Sequence, residues 1–187
     1  LYPFALAEYR RYLRHYPQDK EIRMLSAKLL YKQGDYAEAV SEYERLKYHF
    51  PKDPLIEENL ALSLWGATAL DRAVESFRLL AGAAGPQAQR AEYYLGAIRL
   101  EQNRSQEAVE HLLRSQTQDA SSASAIAPEK IHAALALAYQ RLERLEPARQ
   151  AWQKVLEVVP GDAKASAALR DINRRLTSRK VTTVKKK

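Results

Sequence analysis

The chain has 187 residues, of which 46% are hydrophobic and 28% charged, and it contains no cysteine. This length and apolar content suffice for a packed core, and the lack of cysteine excludes disulfides, thiolate zinc sites and cysteine nucleophiles. The formal net charge is +7, but residues 172–187 hold seven basic and no acidic side chains, so residues 1–171 are neutral overall. The composition therefore argues against a nucleic-acid surface spread over the body of the protein.

Four segments of the chain align with one another, at 20–53, 54–87, 89–122 and 129–162. The apolar and tyrosine positions of the opening residues, 1–16, match those in the second half of these segments. Each has an alanine at the start of its second half, at spacings of 34, 35 and 40 residues: Ala39, Ala73, Ala108 and Ala148. Four residues after that alanine stands a bulky side chain: Tyr43, Phe77, Leu112 and Trp152. Twelve residues before it stands a small one: Ala27, Ala61, Gly96 and Ala136.

Within each half, apolar residues recur at intervals of three and four, which is the period of an α-helix, and no segment alternates like a strand. Turn signals such as Gly34-Asp35 separate the halves, and prolines separate the segments. Two antiparallel helices approach closely only where a side chain is small, and a bulky neighbour fills the next gap. The pattern therefore predicts a series of packed helix hairpins.

This pattern resembles the tetratricopeptide repeat, a helix–turn–helix unit of 34 residues. The resemblance implies an all-α fold, a right-handed superhelical solenoid of antiparallel helix hairpins with about ten helices. We expect full repeats at 20–53, 54–87, 88–128 and 129–162. The second and third are degenerate, and the third carries a Ser/Ala-rich insertion at 116–128. We expect residues 1–19 to be a half repeat whose first helix is missing upstream, 163–178 to be a capping helix, and 179–187 to be a basic tail.

No sequence motif for catalysis is evident. The four histidines, His15, His49, His111 and His132, stand in no HExxH motif, and the chain has no phosphate-loop glycine run and no Gly-x-Ser-x-Gly elbow. No cluster has the spacing of metal ligands. We therefore expect no enzyme activity, no cofactor, no metal site and no small-molecule substrate.

The resemblance implies that the first helix of each repeat faces a concave groove that binds a partner. The residues it places there are Met24, Lys28, Tyr31, Lys32, Glu58, Asn59, Leu62, Trp65, Arg90, Tyr93, Tyr94, Ala97, Lys130 and Arg141. Aromatic side chains among them have the composition of binding hot spots. The alternative for Trp65 and Tyr94 is packing between adjacent repeats. The basic side chains favour a partner with acidic groups.

We therefore expect a non-catalytic scaffold or adaptor that binds a partner protein or peptide in this groove. The alternative is an assembly subunit that forms a homo-oligomer, or docks into a larger complex, through its half repeat and its C-terminal end. Nucleic acid or a membrane would be contacted only through the tail at 179–187, which is otherwise a solvated end or docks on a neighbour. The repeat ends His15-Tyr16-Pro17 and His49-Phe50-Pro51 resemble those of tetratricopeptide proteins of the bacterial cell envelope, and this resemblance favours the periplasm or envelope over the cytoplasm.

Overall fold

The computed structural model of the protein consists of α-helices. It describes residues 2–83, 85–118 and 125–184, with side chains described for 3–83, 85–118 and 125–178. Those residues form ten helices and no strand, which confirms the all-α fold class. In the part of the chain so described, no helix is both long and apolar enough to span a bilayer. The helices group into two compact units, Leu1–Ala83 and Ala84–Lys187.

The first unit is a chain of five helices, each packed against the helix that precedes it. They are α1 (Tyr2–His15), α2 (Lys20–Gln33), α3 (Tyr36–His49), α4 (Pro54–Gly66) and α5 (Leu70–Ala81).

The second unit has the same sequential packing, with an added contact between α6 and α8. Its helices are α6 (Pro86–Glu101), α7 (Ser105–Thr117), α8 (Pro128–Arg141), α9 (Leu145–Val158) and α10 (Ala163–Val184).

The small and bulky residues singled out in the sequence lie at the centres of the hairpins. The alanines at both positions are completely buried, and the bulky partners are at most 1% exposed. Gly96 shows why a small residue is needed, because a Cβ built there would lie 2.6 Å from Cγ of Leu112. The predicted packing of the hairpins is therefore confirmed.

The turns between paired helices share one backbone geometry. A residue with positive φ closes each first helix: Gly34, Thr68, Asn103 and Glu143. The next residue then donates its N–H to a carbonyl in the last turn of the helix, as Asp35 does to Leu30 at 3.0 Å. This is the Schellman arrangement, which satisfies carbonyl groups that the helix leaves unpaired.

Three helices begin with the same capping device. The carboxylate of Asp19 accepts the N–H of Ile22 at 3.0 Å, Asp53 that of Leu55 at 2.9 Å, and Asp162 that of Ala165 at 2.7 Å. Each aspartate stands two residues after a proline that follows the preceding helix. The Pro-x-Asp pattern therefore marks the end of one helix and the start of the next.

The insertion predicted at 116–128 lies partly outside the described residues, at 119–124. Its end returns to α6, where the buried Gln89 side chain donates to the carbonyl of Ile126 at 3.1 Å and accepts the N–H of Ile126 at 2.9 Å. Ser115 also donates to the carbonyl of Gln89 at 2.8 Å. One buried glutamine thus fixes the chain just before α8.

The last helix is longer than the expected capping helix. It runs to Val184, beyond the predicted end at residue 178, because residues 163–184 contain neither proline nor glycine. Ile172 is completely buried, and Leu169 and Leu176 pack against the core of the second unit.

Candidate protein-binding surface

The predicted partner-binding residues lie on α2 and α4 in the first unit and on α6 and α8 in the second. We call these residues the first-helix surface.

On α2, Lys28 and Lys32 lie one turn apart and are exposed, whereas Met24, one turn earlier, is buried at 8% exposure. Neither lysine forms an ion pair with any residue whose side chain is described. Tyr31, between them in sequence, is partly buried. This helix therefore presents two uncompensated positive charges beside one aromatic ring.

The position of Tyr31 is set by a second tyrosine. The rings of Tyr31 and Tyr36 meet edge to face with centroids 5.3 Å apart. Tyr36 in turn lies against Gly66 at the end of α4, where a Cβ would come within 2.5 Å of the Tyr36 ring. Burial, and then the neighbouring Tyr36, raise the pKa of Tyr31, so its hydroxyl is neutral and available as a hydrogen-bond donor at neutral pH.

On α4, Asn59, Leu62 and Trp65 are partly exposed, whereas Glu58 is buried at 7% exposure. The amide nitrogen of Asn59 donates to the carbonyl of Leu55 at 2.7 Å. A partner would therefore meet the side-chain oxygen of Asn59 more readily than its nitrogen.

On α6, the rings of Tyr93 and Tyr94 meet edge to face, with centroids 5.5 Å apart. Tyr93 also packs against the core of the second unit, and burial raises its pKa. Ala97 is partly exposed, whereas Arg90 is buried at 8% exposure. Tyr93 and Tyr94 are both partly exposed, so the edges of this aromatic pair can contact a partner.

On α8, Lys130 and Arg141 are both exposed. The guanidinium of Arg141 donates to the backbone carbonyl of Leu100 at the end of α6, so it joins two helices. Lys130 has no ion-pair partner among the described side chains. Of the two cations, Lys130 is the one without a structural contact.

Sequence reasoning missed a polar network between α6 and α7, which centres on the buried Glu92. The carboxylate of Glu92 contacts Nδ1 of His111 at 2.7 Å and accepts from Nε of Arg114 at 2.9 Å. Burial of Glu92 acts to raise its pKa, but the contacts with His111 and Arg114 outweigh burial and lower it. The spacing of three residues between His111 and Arg114, which puts them on one face of α7, was the available signal.

No group of three or more His, Cys, Asp or Glu side chains could hold a metal ion in the residues that the structure describes.

The family model described as Tetratricopeptide repeat matches residues 2–54 and 58–123 of the chain. The chain belongs to the tetratricopeptide-repeat family. Hairpin α8–α9 lies beyond the matched residues but has the same buried alanines and the same left-handed turn, at Glu143. A comparison of the sequence with curated proteins finds no significant match.

Solved structures with the same fold cover most of the chain. MamA 41-end from Desulfovibrio magneticus superposes with a TM-score of 0.71 at 24% identity, over 88% of this chain and 90% of that one. A thermophilic tetratricopeptide-repeat protein of Thermus thermophilus gives a TM-score of 0.61 at 21% identity, over 91% and 90%. The APC/C hetero-tetramer Cut9-Hcn1 gives a TM-score of 0.70 at 16% identity, over 91% of this chain and 33% of that one.

Membership of this family makes the chain a protein–protein interaction scaffold in general terms, because tetratricopeptide-repeat proteins are generally non-catalytic scaffolds with protein partners.

Proposed function

We propose that the tetratricopeptide-repeat chain is a non-catalytic scaffold whose first-helix surface binds a partner polypeptide with acidic groups. The observation that carries this proposal is the pairing on α2 of two exposed, unpaired lysines, Lys28 and Lys32, with the partly exposed ring of Tyr31. An aromatic ring with a hydroxyl supplies contact area and a hydrogen bond, and cations beside it favour acidic partners.

The second unit repeats this combination on its own first helices. Tyr93 and Tyr94 form an aromatic pair on α6, and Lys130 on α8 is exposed and unpaired among the described side chains. Each unit therefore has aromatic and basic side chains of its own on its first helices with which to contact a partner.

Charge reversal tests the proposal. A Lys28→Glu/Lys32→Glu variant is compared with wild type, by quantitative mass spectrometry of proteins captured from the native lysate. The matched control is Lys52→Glu/Lys164→Glu, which makes the same charge change at two exposed lysines that are not among the residues of the first-helix surface. We expect a partner that the α2 variant loses and the control retains. A partner captured equally by all three proteins would contradict the proposal.

Self-association is a second candidate function, and α1 favours it. Phe4 and Tyr12 on this helix are 77% and 40% exposed, and Tyr16, the residue after its end, is 59% exposed. A second copy of the chain could cover these rings. Sedimentation velocity at micromolar protein tests this candidate, since Phe4→Glu should convert an oligomer to monomer. A wild-type chain that is already monomeric would exclude it.

A further inference from the structure

A small cavity lies in the second unit, between α7, α8 and α9. Its volume is about 150 Å³. Its lining residues are Leu113, Gln116, His132, Leu135, Tyr139, Pro147, Gln150, Ala151 and Lys154. None of the residues predicted to bind a partner lines it.

The cavity has an apolar base and a polar rim that carries a positive charge and no negative one. Leu135 and Ala151 are buried beneath it, whereas Gln116, Gln150 and Lys154 are exposed around it. No carboxylate lines the cavity. Lys154 forms no ion pair with a described side chain, so its charge is available to a ligand.

His132 connects the base with the rim. Its imidazole is partly buried and has no hydrogen-bond partner among the described side chains. Burial, followed by the charge of Lys154, lowers the pKa of His132, and Glu157, which does not line the cavity, acts in the opposite direction. A neutral imidazole beside an unpaired ammonium is a site where a carboxylate would replace lost hydration.

The volume identifies the size of the occupant. Pockets for cofactors and drug-sized ligands measure roughly 300–1,000 Å³. A cavity of about 150 Å³ lined by apolar side chains holds a single benzene ring. The site therefore fits one side chain of a polypeptide, with the rim cation beside it.

We propose that this cavity, formed by α7, α8 and α9, docks an apolar side chain of a partner polypeptide, and that Lys154 pairs with an acidic residue next to that side chain. The exposed Leu113 at its edge, 41% accessible, extends the apolar contact beyond the cavity. This surface is distinct from the first-helix surface, so the proposal does not depend on the proposed function.

The test is an NMR titration of the full chain with two peptides that differ only in charge, acetyl-Phe-Asp-Asp-amide and acetyl-Phe-Asn-Asn-amide. The reporter is the imidazole signal of His132, assigned from the spectrum of His132→Gln. We expect the acidic peptide to shift this signal and to bind about fivefold more tightly than the neutral one, which is the contribution of one exposed ion pair. Equal affinity of the two peptides, or an unshifted His132 signal, would overturn the proposal.

Two variants of α9 form a matched pair. Gln150 and Gln153 are both exposed, but only Gln150 lines the cavity. Gln150→Glu should weaken binding of the acidic peptide by about threefold or more, because it places a carboxylate on the rim, whereas Gln153→Glu should leave it unchanged. Lys154→Gln should abolish the preference for the acidic peptide.

Benzoate serves as a third probe, because it carries a ring and a carboxylate without a peptide backbone. We expect benzoate to bind more weakly than the acidic peptide. If benzoate bound as tightly, the occupant would be a small aromatic acid and the polypeptide assignment would be wrong. Equal weakening by both glutamate variants would likewise exclude the cavity as the site.

Discussion

Four different residues occupy the positive-φ position of the hairpin turns, and the cost of that conformation differs among them. Gly34 has φ of 87° and adopts it without strain, whereas Thr68 has φ of 60° with a branched Cβ. A left-handed conformation costs an L-residue roughly 1–2 kcal/mol, and β-branched residues are the least tolerant. The same turn is therefore unstrained in the first repeat and strained in the second.

Replacing Thr68 by glycine should stabilise the protein. Thr68 is exposed, so little packing is lost, and relief of the strain exceeds the added entropy of the unfolded chain. We expect a gain of about 0.5–1 kcal/mol in the free energy of unfolding, measured by urea denaturation.

The converse variant is the control. Gly34→Ala meets no atom within 4 Å, so its cost comes from the backbone alone, and we expect a loss of about 1 kcal/mol. A Thr68→Gly protein less stable than wild type would show that the threonine side chain contributes more than its strain costs.

The sequence predicted the turn at Gly34 because glycine before a helix start is a recognised signal. Asn103 stands at the same place in the third repeat, and asparagine is one of the residues that tolerate a left-handed backbone. Nothing about Thr68 or Glu143 indicates that conformation, which is imposed at those sites by the packing of the two helices on either side. The alignment of repeats, and not the residue type, is what locates these turns.

At the scale of helices, three aspartates make the starts of α2, α4 and α10 more precisely predictable than the prolines alone would. Asp19, Asp53 and Asp162 recur two residues after those prolines, and an aspartate before an apolar periodic run is an N-cap signal. The starts of α6 and α8 lack this pattern and instead have a proline in the first turn, Pro86 and Pro128. The contact of Gln89 with Ile126 could not be predicted, because it joins residues across an insertion of irregular length.

Gln89 makes the next prediction specific. Gln89→Leu should lower the free energy of unfolding by about 2 kcal/mol or more, since the buried amide loses both hydrogen bonds to Ile126 and leaves that backbone N–H and carbonyl unpaired. Hydrogen exchange at the Ile126 amide should accelerate in the same variant. Gln153→Leu, an exposed change of the same chemistry, is the control. Unchanged exchange at Ile126 would contradict the prediction.

The contacts of Glu92 on α6 with His111 and Arg114 on α7 should make the stability of the protein depend on pH. Folding lowers the pKa of Glu92, so the ionised carboxylate stabilises the folded state. This stabilisation is complete above the unfolded pKa of glutamate, about 4.3, and is lost as the pH falls below that pKa. Glu92→Gln should cost about 1–3 kcal/mol at pH 7 and should flatten the loss of stability below pH 5. Urea titrations from pH 3 to 7 measure both effects.

Glu8→Gln, at an exposed glutamate of α1, is the matched control and should leave the pH profile as in wild type. If the Glu92 variant lost stability below pH 5 as steeply as wild type, the carboxylates responsible would lie elsewhere.

For the molecule as a whole, hydrophobic periodicity and the small–bulky pattern were enough to predict the fold class, the family and the buried centres of the hairpins. They were not enough to predict which first-helix residues are accessible. Arg90 stands at the repeat position of the exposed Lys130, yet it is 8% exposed. Met24 and Glu58 stand at the position of the partly exposed Tyr93, yet they are 8% and 7% exposed. Accessibility depends on the particular neighbours of each side chain, and these neighbours differ between repeats that share the same pattern. The predicted boundaries of the repeats, and the partner-binding role of the first-helix surface, stay predictions.

Charge is the property of the whole chain that leads to the last prediction. The body is neutral, so any affinity for nucleic acid should reside in the basic C-terminal segment. Replacing Arg179, Lys180, Lys185, Lys186 and Lys187 by glutamine lowers the net charge from +7 to +2. The control reaches the same net charge by replacing five exposed lysines of the body with glutamine: Lys28, Lys32, Lys52, Lys130 and Lys164.

Fluorescence anisotropy with an oligothymidylate should show a slope of log K against log salt of about −3 for wild type and near zero for the tail variant. The control should keep most of the wild-type slope, because clustered charges and not net charge release counterions from one segment of DNA. Equal loss of affinity in both variants would mean that net charge alone determines the binding.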